Sequence, residues 1–361
     1  MNIAIFGLSI TSSWGNGHAT TYRALARALA CRGHQVTFFE RDLPWYAENR
    51  DLPEPPYCRT VLYDDVAHLT TLAESELRTA DLAIVGSYVP QGVEVGDLVL
   101  RSASGLTAFY DIDTPVTLAR LAAGGTDYLS TAQIPRYDLY LSFTGGPTLE
   151  RLQQRYHAPL ARPLYCSVDP ELYFPETAVP RWDLGYLGTY SADRQPVLDR
   201  LLLQAALKRP AARFVVAGPQ YPDSLTWPAN VERIVHLSPA EHRGFYNALR
   251  FTLNVTRADM VEAGYSPSVR LFEAAACGTP IISDTWEGLD TFFSPGTEIL
   301  ISKNARETLA YLRDVDDETR RTIGARARTR TLAAHTAAHR AIELERYAAE
   351  AGARLGERAA S

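Results

Sequence analysis

The sequence predicts an α/β protein built from two Rossmann-like, doubly wound domains. Three observations carry this. A strand–loop–helix–strand rhythm opens the chain at Asn2 and restarts at Trp182, and such alternation implies parallel sheets covered by helices. Between the two runs lies VDPELYFPETAVP, residues 168–180, whose prolines mark a linker. With 361 residues, each half is long enough to bury its own core. The expected boundaries are 1–167, a linker at 168–180, 181–335, and a terminal helix at 336–361. Two such halves imply a cleft between them, of the kind that holds ligands and closes by hinge motion.

In the first half, residues 2–6 form an apolar run ending at Gly7, the pattern of a buried parallel strand. The polar loop 8–18 follows, longer than an ordinary strand-to-helix connection, which points to function. Gly15 and Gly17 lack the third glycine of a dinucleotide fingerprint, so that match is weak. Residues 19–32 are a helix closed by Gly33, and 35–40 a second strand. Residues 41–63, rich in Pro, Tyr and charge, read as surface loops that could wall an acceptor site. A helix at 69–78 and strands at 81–86 and 106–110 follow; Thr114-Pro115 is a capped helix start. Residues 138–143 are a strand, a Gly-Gly turn opens a helix through 156, and 163–167 close the half as a strand.

The second half repeats this. A strand at 182–187 leads through loop 188–194 into a helix at 195–208. Strands are expected at 213–217, 231–235 and 251–255, with a capping box at Ser238 and Glu241 starting the helix 239–249. Residues 256–260 are a loop and 299–302 the last strand, with Ala/Arg-rich helix from 309 onward. Arg320, Arg321, Arg326, Arg328 and Arg330 crowd one stretch beside Asp314, Asp316, Asp317 and Glu318, which reads as a solvated helix face.

The most informative stretch is YSPSVRLFEAAACGTPIISD, residues 265–284. Ser266, Pro267 and Ser268 suit a helix entry with hydroxyl caps. Val269, Leu271, Phe272, Ala275 and Ala276 supply an apolar face, and Cys277-Gly278-Thr279-Pro280 stops the helix before a buried strand. A helix start is an anion site, through free N–H groups and the positive dipole end. Arg270 adds a guanidinium suited to two phosphate oxygens. Glu273, one turn in, is placed for a sugar or ribose hydroxyl. The competing reading makes Arg270 and Glu273 an ordinary surface ion pair.

This segment resembles the donor-binding segment of GT-B glycosyltransferases, of the "glycosyl transferases group 1" type and its CgeB-like, spore-maturation-like branch. The resemblance implies that Ser266, Pro267, Ser268, Val269 and Arg270 meet a nucleotide diphosphate and that Glu273 meets its ribose. It carries Gly188, Thr189, Arg194 and Gly218 toward the donor phosphates, and His236 toward the base. Retaining members have a second Glu eight positions before the ribose-binding one; that position here is Tyr265, with Glu262 the nearest acid upstream. The family also ends in a helix that crosses back to the first domain.

In the first half the candidate catalytic residues are His18 and Asp113. A histidine after the first strand can serve as general base for an acceptor hydroxyl, and Gly17-His18 looks similar to the corresponding loop of inverting GT-B enzymes. A loop histidine bonded to backbone is the alternative. DIDTP, residues 111–115, resembles a stretch of the CgeB-like group, though local capping by Asp is always available. Trp14, Asn16, Gly17, Tyr88 and Asp111 are the candidate acceptor contacts.

The net charge of −6 argues against a dedicated nucleic-acid partner. Only two lysines occur, Lys208 and Lys303, a bias that fits a GC-rich bacterial genome. Cys31, Cys58, Cys166 and Cys277 show no metal-ligand spacing, which suggests a reducing compartment. MNIAIFG lacks the basic flank of a signal peptide, and no apolar run approaches a membrane span. The expectation is a cytoplasmic, metal-independent glycosyltransferase that takes a nucleotide-sugar donor and needs no cofactor. A nucleotide-sugar epimerase and a non-catalytic CgeB-like coat protein remain as alternatives.

Overall fold

Six consecutive residues of β1 (Asn2–Gly7), all but the first buried, start the first sheet. In the computed structural model, which describes residues 1–15 and 17–360, the chain divides into two compact units. Unit 1 comprises Met1–Cys166 and the chain from Ala337 onward; unit 2 is Ser167–Thr336. After β1 come α1 (His18–Cys31), β2 (Gln35–Arg41), α2 (Pro44–Ala47), β3 (Arg59–Tyr63), α3 (Val66–Thr79) and β4 (Leu82–Gly86). Then follow α4 (Gly92–Ser102), β5 (Leu106–Asp111), α5 (Thr114–Ala122), β6 (Leu139–Ser142), α6 (Pro147–Arg155) and β7 (Ala161–Pro163). Their order in the sheet is β3-β2-β1-β4-β5-β6-β7, parallel throughout. The winding reverses between β1 and β4, and a crevice opens beyond strand carboxyl ends at such a point.

Unit 2 contains β8 (Trp182–Leu187), α7 (Gln195–Leu198), α8 (Gln204–Lys208), β9 (Phe214–Ala217), β10 (Val231–Ile234), α9 (Pro239–Asn247) and β11 (Leu249–Asn254). It continues with α10 (Ala258–Ala263), α11 (Val269–Ala276), β12 (Ile281–Ser283), α12 (Leu289–Phe292), β13 (Leu300–Ile301), α13 (Ala305–Asp314) and α14 (Asp317–Ala334). A π turn at Asp199–Leu203 joins α7 to α8. The parallel sheet runs β10-β9-β8-β11-β12-β13, so its reversal lies between β8 and β11. The last helix, α15 (Ala337–Ala360), belongs to unit 1, where Glu345 pairs with Arg32 at 2.7 Å and His34 at 2.6 Å.

Several elements differ from the sequence reading. Residues 41–63 are not all loop: α2 and β3 lie within them, and β3 pairs with β2 from Arg59 to Tyr63. The Pro-rich run before β3 hid a strand whose apolar residues are only partly covered. β7 begins two residues earlier than expected and stops at Pro163. The expected linker folds onto unit 2: Tyr173 is buried, and the Glu176 amide donates to Asn247 at 2.7 Å. The Ala/Arg-rich stretch expected as helix from 309 to the terminal helix is broken into α13 and α14, restarted where Asp316 accepts from the Thr319 amide, and α15 begins at Ala337. Among the described residues, no helix is long and apolar enough to cross a membrane.

The loop after β1 owes its shape to Glu40, a wholly buried acid near the end of β2. Its carboxylate accepts from Ser9 Oγ (3.0 Å), the Ile10 amide (2.6 Å), and both the amide (3.0 Å) and hydroxyl (2.6 Å) of Thr11. Charge-assisted bonds of this kind are the strong ones, and stranding buried donors is expensive. Glu40→Ala should therefore destabilise the chain by about 3 kcal/mol, with Glu40→Gln in between. Urea unfolding followed by circular dichroism measures this; an unchanged midpoint for both variants would refute the anchoring role.

Candidate functional site

The reversal point of unit 2 is occupied by one side chain. Arg270, in the first turn of α11, donates Nε to the Leu187 carbonyl at the end of β8 (2.7 Å). Its Nη1 reaches Asn254 Oδ1 at the end of β11 (3.0 Å), the Val255 carbonyl (3.2 Å) and Ser268 Oγ (3.3 Å). The guanidinium lies 5.2 Å from the Tyr186 ring centroid. Among the described residues every hydrogen-bond acceptor of Arg270 is thus neutral, and it forms no salt bridge with Glu273. The surface-pair reading does not hold.

Ser268 precedes α11, but its hydroxyl donates to Asn254 Oδ1 (2.9 Å) and does not cap the helix. The hydroxyl caps expected from the sequence are therefore not formed by Ser268. No hydrogen bond within the described residues involves the amides of Val269 or Arg270, so the first turn keeps free donors. Asn254 is held in turn, donating Nδ2 to Ser283 Oγ (3.0 Å) and Thr256 Oγ1 (3.2 Å). Ser266 and Pro267 are buried behind this entry. Tyr265 has a φ of 46°, and its ring covers Gly288, where a Cβ would come within 2.4 Å.

Arg194, just before α7, donates Nη2 to the Thr189 carbonyl (2.8 Å), while its buried Nε has no acceptor. Burial lowers its pKa, and the positive charges of Arg270 and Arg257 act in the same direction. Three arginines therefore share one neighbourhood. Asp193 is the nearby acid, 4.0 Å from Arg257 Nε. Arg257 was not singled out from the sequence; its place directly after β11, in the loop leading to the conspicuous segment, was the available signal.

Gly188 and Gly218 shape the backbone here. Gly218 has a φ of 140°, and a Cβ on it would meet the Gly188 carbonyl oxygen at 2.1 Å. Only glycine lets the ends of β8 and β9 approach so closely. Tyr221 Oη donates to that same carbonyl (3.3 Å). His236 is exposed after the edge strand β10, two strands away from the β8/β11 reversal, so the sheet order separates it from Arg270.

Glu273 is not open one turn into the helix, as its spacing suggested. It is 4% exposed, accepts from Tyr246 Oη at 3.1 Å, and has His242 Nδ1 at 3.9 Å. The Tyr173 hydroxyl lies 3.4 Å from the same His242 Nδ1.

In unit 1, His18 is the first residue of α1, at the β1/β4 reversal. Its ring meets Tyr88 edge-on at 5.3 Å, and Tyr88 stacks on Tyr128 at 4.8 Å. His18 Nδ1 is buried without a hydrogen-bond partner among the described residues. Burial lowers the His18 pKa, against a smaller upward pull from the Asp113 charge. A neutral imidazole near a carboxylate is the arrangement a general base requires. Trp14 is 47% exposed, and Gly17 has open space in front of it. Asn16 lies outside the described residues. Tyr88 holds a left-handed φ of 63°, a strained state for a bulky residue that fixes its ring against His18.

Asp111 corrects the reading that placed it against an acceptor. It is 0% exposed, with Tyr140 Oη donating to Oδ2 (2.6 Å) and Thr117 Oγ1 to Oδ1 (2.8 Å). Desolvation pushes its pKa up to about 6, outweighing those hydrogen bonds. The folded state thus holds a proton that the unfolded chain releases near the ordinary carboxylate value. Stability from this group is present below about pH 4 and lost as pH rises through 6. The stability difference between wild type and Asp111→Asn should fall by about 2 kcal/mol from pH 4 to pH 7. Denaturant titrations across that range check it; a flat difference would contradict the buried titration.

Residues 194–346 match the family described as glycosyl transferase-like. The whole chain superposes on solved structures. Sucrose-phosphate synthase from Thermosynechococcus elongatus aligns with a TM-score of 0.71 at 17% identity, covering 98% of this chain and 99% of that one. HepE from Anabaena, in complex with UDP and glucose, aligns with a TM-score of 0.69 at 12% identity, covering 97% and 100%. An α-glucosyltransferase in complex with UDP and a 13-mer DNA aligns at 0.70 and 14% identity, covering 97% and 99%. No curated protein sequence matches the chain. The fold is therefore that of the GT-B glycosyltransferases, and the chain carries a glycosyl transferase-like domain.

Proposed function

We propose that this protein is a glycosyltransferase that moves a sugar from a nucleoside-diphosphate sugar to an acceptor hydroxyl. The observation that carries the reading is the Arg270 guanidinium, held at the β8/β11 reversal by neutral oxygens alone, with Arg194 Nε unpartnered nearby. A cation that no carboxylate contacts directly, with Glu273 and Asp284 acting on it only through space, keeps its donors available for an anionic ligand. The glycosyl transferase-like match over residues 194–346 and the neighbours bound to UDP support the choice of a nucleoside diphosphate.

In this reading the bond between the sugar's anomeric carbon and the diphosphate oxygen breaks as the acceptor oxygen attacks. Charge builds on the departing diphosphate, where Arg270, Arg194 and the free amides of α11 stabilise it. Gly188, Thr189 and Gly218 bring backbone close to the phosphates. Glu273 is the proposed ribose contact, sharing its carboxylate with Tyr246. His18 takes the acceptor proton, and the Asp113 carboxylate favours the imidazolium that forms. Trp14, Gly17 and Tyr88 are the proposed acceptor contacts. DIDTP keeps the CgeB-like branch as the finer assignment.

We infer that no divalent cation is required. Asp111 and Asp113 spell D-x-D, but both oxygens of Asp111 are already engaged inside unit 1. Turnover should persist in chelator, and its disappearance would count against this point.

A thermal-shift screen against UDP-, GDP-, ADP- and dTDP-sugars tests the donor site, since a ligand of the native state must stabilise it. At least one should raise the Tm, and Arg270→Ala should remove that shift. Silence from wild type with all four would sink the reading. His18→Ala and Asp113→Asn should keep the donor-induced shift while lowering kcat by roughly 10²- to 10⁴-fold and 10-fold or more respectively. Donor consumption that needs no acceptor would instead indicate an epimerase.

A further inference from the structure

The arginine-rich stretch that the sequence assigned to a solvated face is only partly solvated. Arg320, Arg321 and Arg328 of α14 line a cavity of about 550 Å³ within unit 2. Its floor is the C-terminal stop of α11, Cys277-Gly278-Thr279, and residues 175–180 form part of its wall. α14 presses closely on that floor, since a Cβ at Gly324 would meet the Gly278 carbonyl oxygen at 2.1 Å. The volume suits a small organic ligand.

The charges in the lining do not cancel. Glu176 is paired with Arg243 at 2.8 Å. Asp317 is paired with Arg320 at 3.2 Å and has Arg250 at 3.8 Å. Arg328 spends Nε on the Ala276 carbonyl (3.1 Å) and meets no carboxylate. Arg321 makes no hydrogen bond or salt bridge among the described residues. Asp317, shared among Arg320, Arg250 and Arg321, is the one acid acting on Arg321 through space, so two guanidiniums without a contacting carboxylate among the described residues line one concavity, with the planar forks that favour phosphate.

The geometry points to a second anion site, in which Arg321 and Arg328 bind a phosphate group, free or carried on a small carbon skeleton. This site sits at the opposite end of α11 from Arg270. α11 is one eight-residue helix, with Arg270 in its first turn and the cavity floor just past its last. A second link runs through Tyr246: Thr279 Oγ1 donates to its carbonyl (2.8 Å), and its hydroxyl donates to Glu273 (3.1 Å). A ligand that shifts α11 from the cavity end changes the pose of Arg270. The coupling rests on the donor reading above; the binding does not.

Isothermal titration of the full chain with inorganic phosphate, glycerol 3-phosphate and glycerol tests the site. Phosphate or its ester should bind and glycerol should not; equal affinity for both anions would assign the site to free phosphate. Arg321→Gln/Arg328→Gln should weaken the anion at least about tenfold while leaving UDP binding in its absence unchanged. Arg270→Ala should leave the anion's affinity intact. Saturating glycerol 3-phosphate should change the UDP Kd by the same factor as UDP changes the glycerol 3-phosphate Kd. No binding of either anion at about 10 mM, or undiminished binding in the double variant, would overturn the site. Loss of binding in Arg270→Ala instead would place the anion at the donor crevice. Unchanged UDP affinity under saturating ester would overturn the coupling alone, and failure of UDP to bind would strike the donor reading while the anion titration still stood.

Discussion

One guanidinium ties two strand ends to a helix start in unit 2. β8 contributes a carbonyl, β11 an amide oxygen and the next carbonyl, and α11 carries the arginine itself. The doubly wound order makes this possible, because β8 and β11 are adjacent in the sheet yet far apart in sequence. Neutral oxygens orient the cation without cancelling its field. A carboxylate in their place would give a closed ion pair, inert toward ligands. Asn254 is the hub of the arrangement: it accepts from Arg270 and Ser268, and its amide nitrogen is anchored on Ser283 and Thr256. Thr256 is itself fixed by Asp284 through two bonds of 2.8 Å. The rigidity of the crevice thus derives from a chain of hydrogen bonds running from β12 back to β8.

Buried acids do the complementary work. Asp111 locks β5 to β6 through Tyr140 and to α5 through Thr117. Glu273 joins α11 to α9 through Tyr246. Asp111 is fully engaged inside unit 1, whereas Glu273 shares its carboxylate between Tyr246 and the proposed ribose contact. Position along an element, more than residue type, separates Asp111 from Asp113. Asp111 ends a strand with its side chain in the core, whereas Asp113, two residues on, is partly exposed at the start of α5 and within electrostatic reach of His18.

Much of the α/β architecture was legible because buried parallel strands such as NIAIFG and RFTLN are short apolar runs with sharp ends. What escaped was tertiary in origin. β3 follows a run of prolines and charges and becomes a strand by pairing with β2. α4 contains Gly92 and Gly96, poor helix formers that are present because Tyr128 and Tyr137 pack where a Cβ would stand. The helix break near 316 sits inside uniform Ala/Arg composition, although Asp316 as a cap was a readable sign. At the site, Arg270 and its helix start could be picked out from spacing and resemblance. That Arg270 would face carbonyls while Glu273 turned inward could not, because both outcomes depend on strand ends and a tyrosine distant in sequence.

The carboxylate of Glu40 gives the two halves different chemical characters despite their common winding. In unit 1 the turn beyond the first strand aims its amides and hydroxyls at an acid supplied by the chain itself. An acid held in this way takes up the Ile10 and Thr11 amides and the Ser9 and Thr11 hydroxyls itself. The corresponding turn of unit 2 carries Asp193, which accepts from the Ser191 hydroxyl and the Ala258 amide, but it is bordered by Arg194, Arg257 and Arg270. Glu40 thus supplies the negative charge at the unit 1 turn from within the chain, while the arginines of unit 2 leave positive charge at the equivalent place.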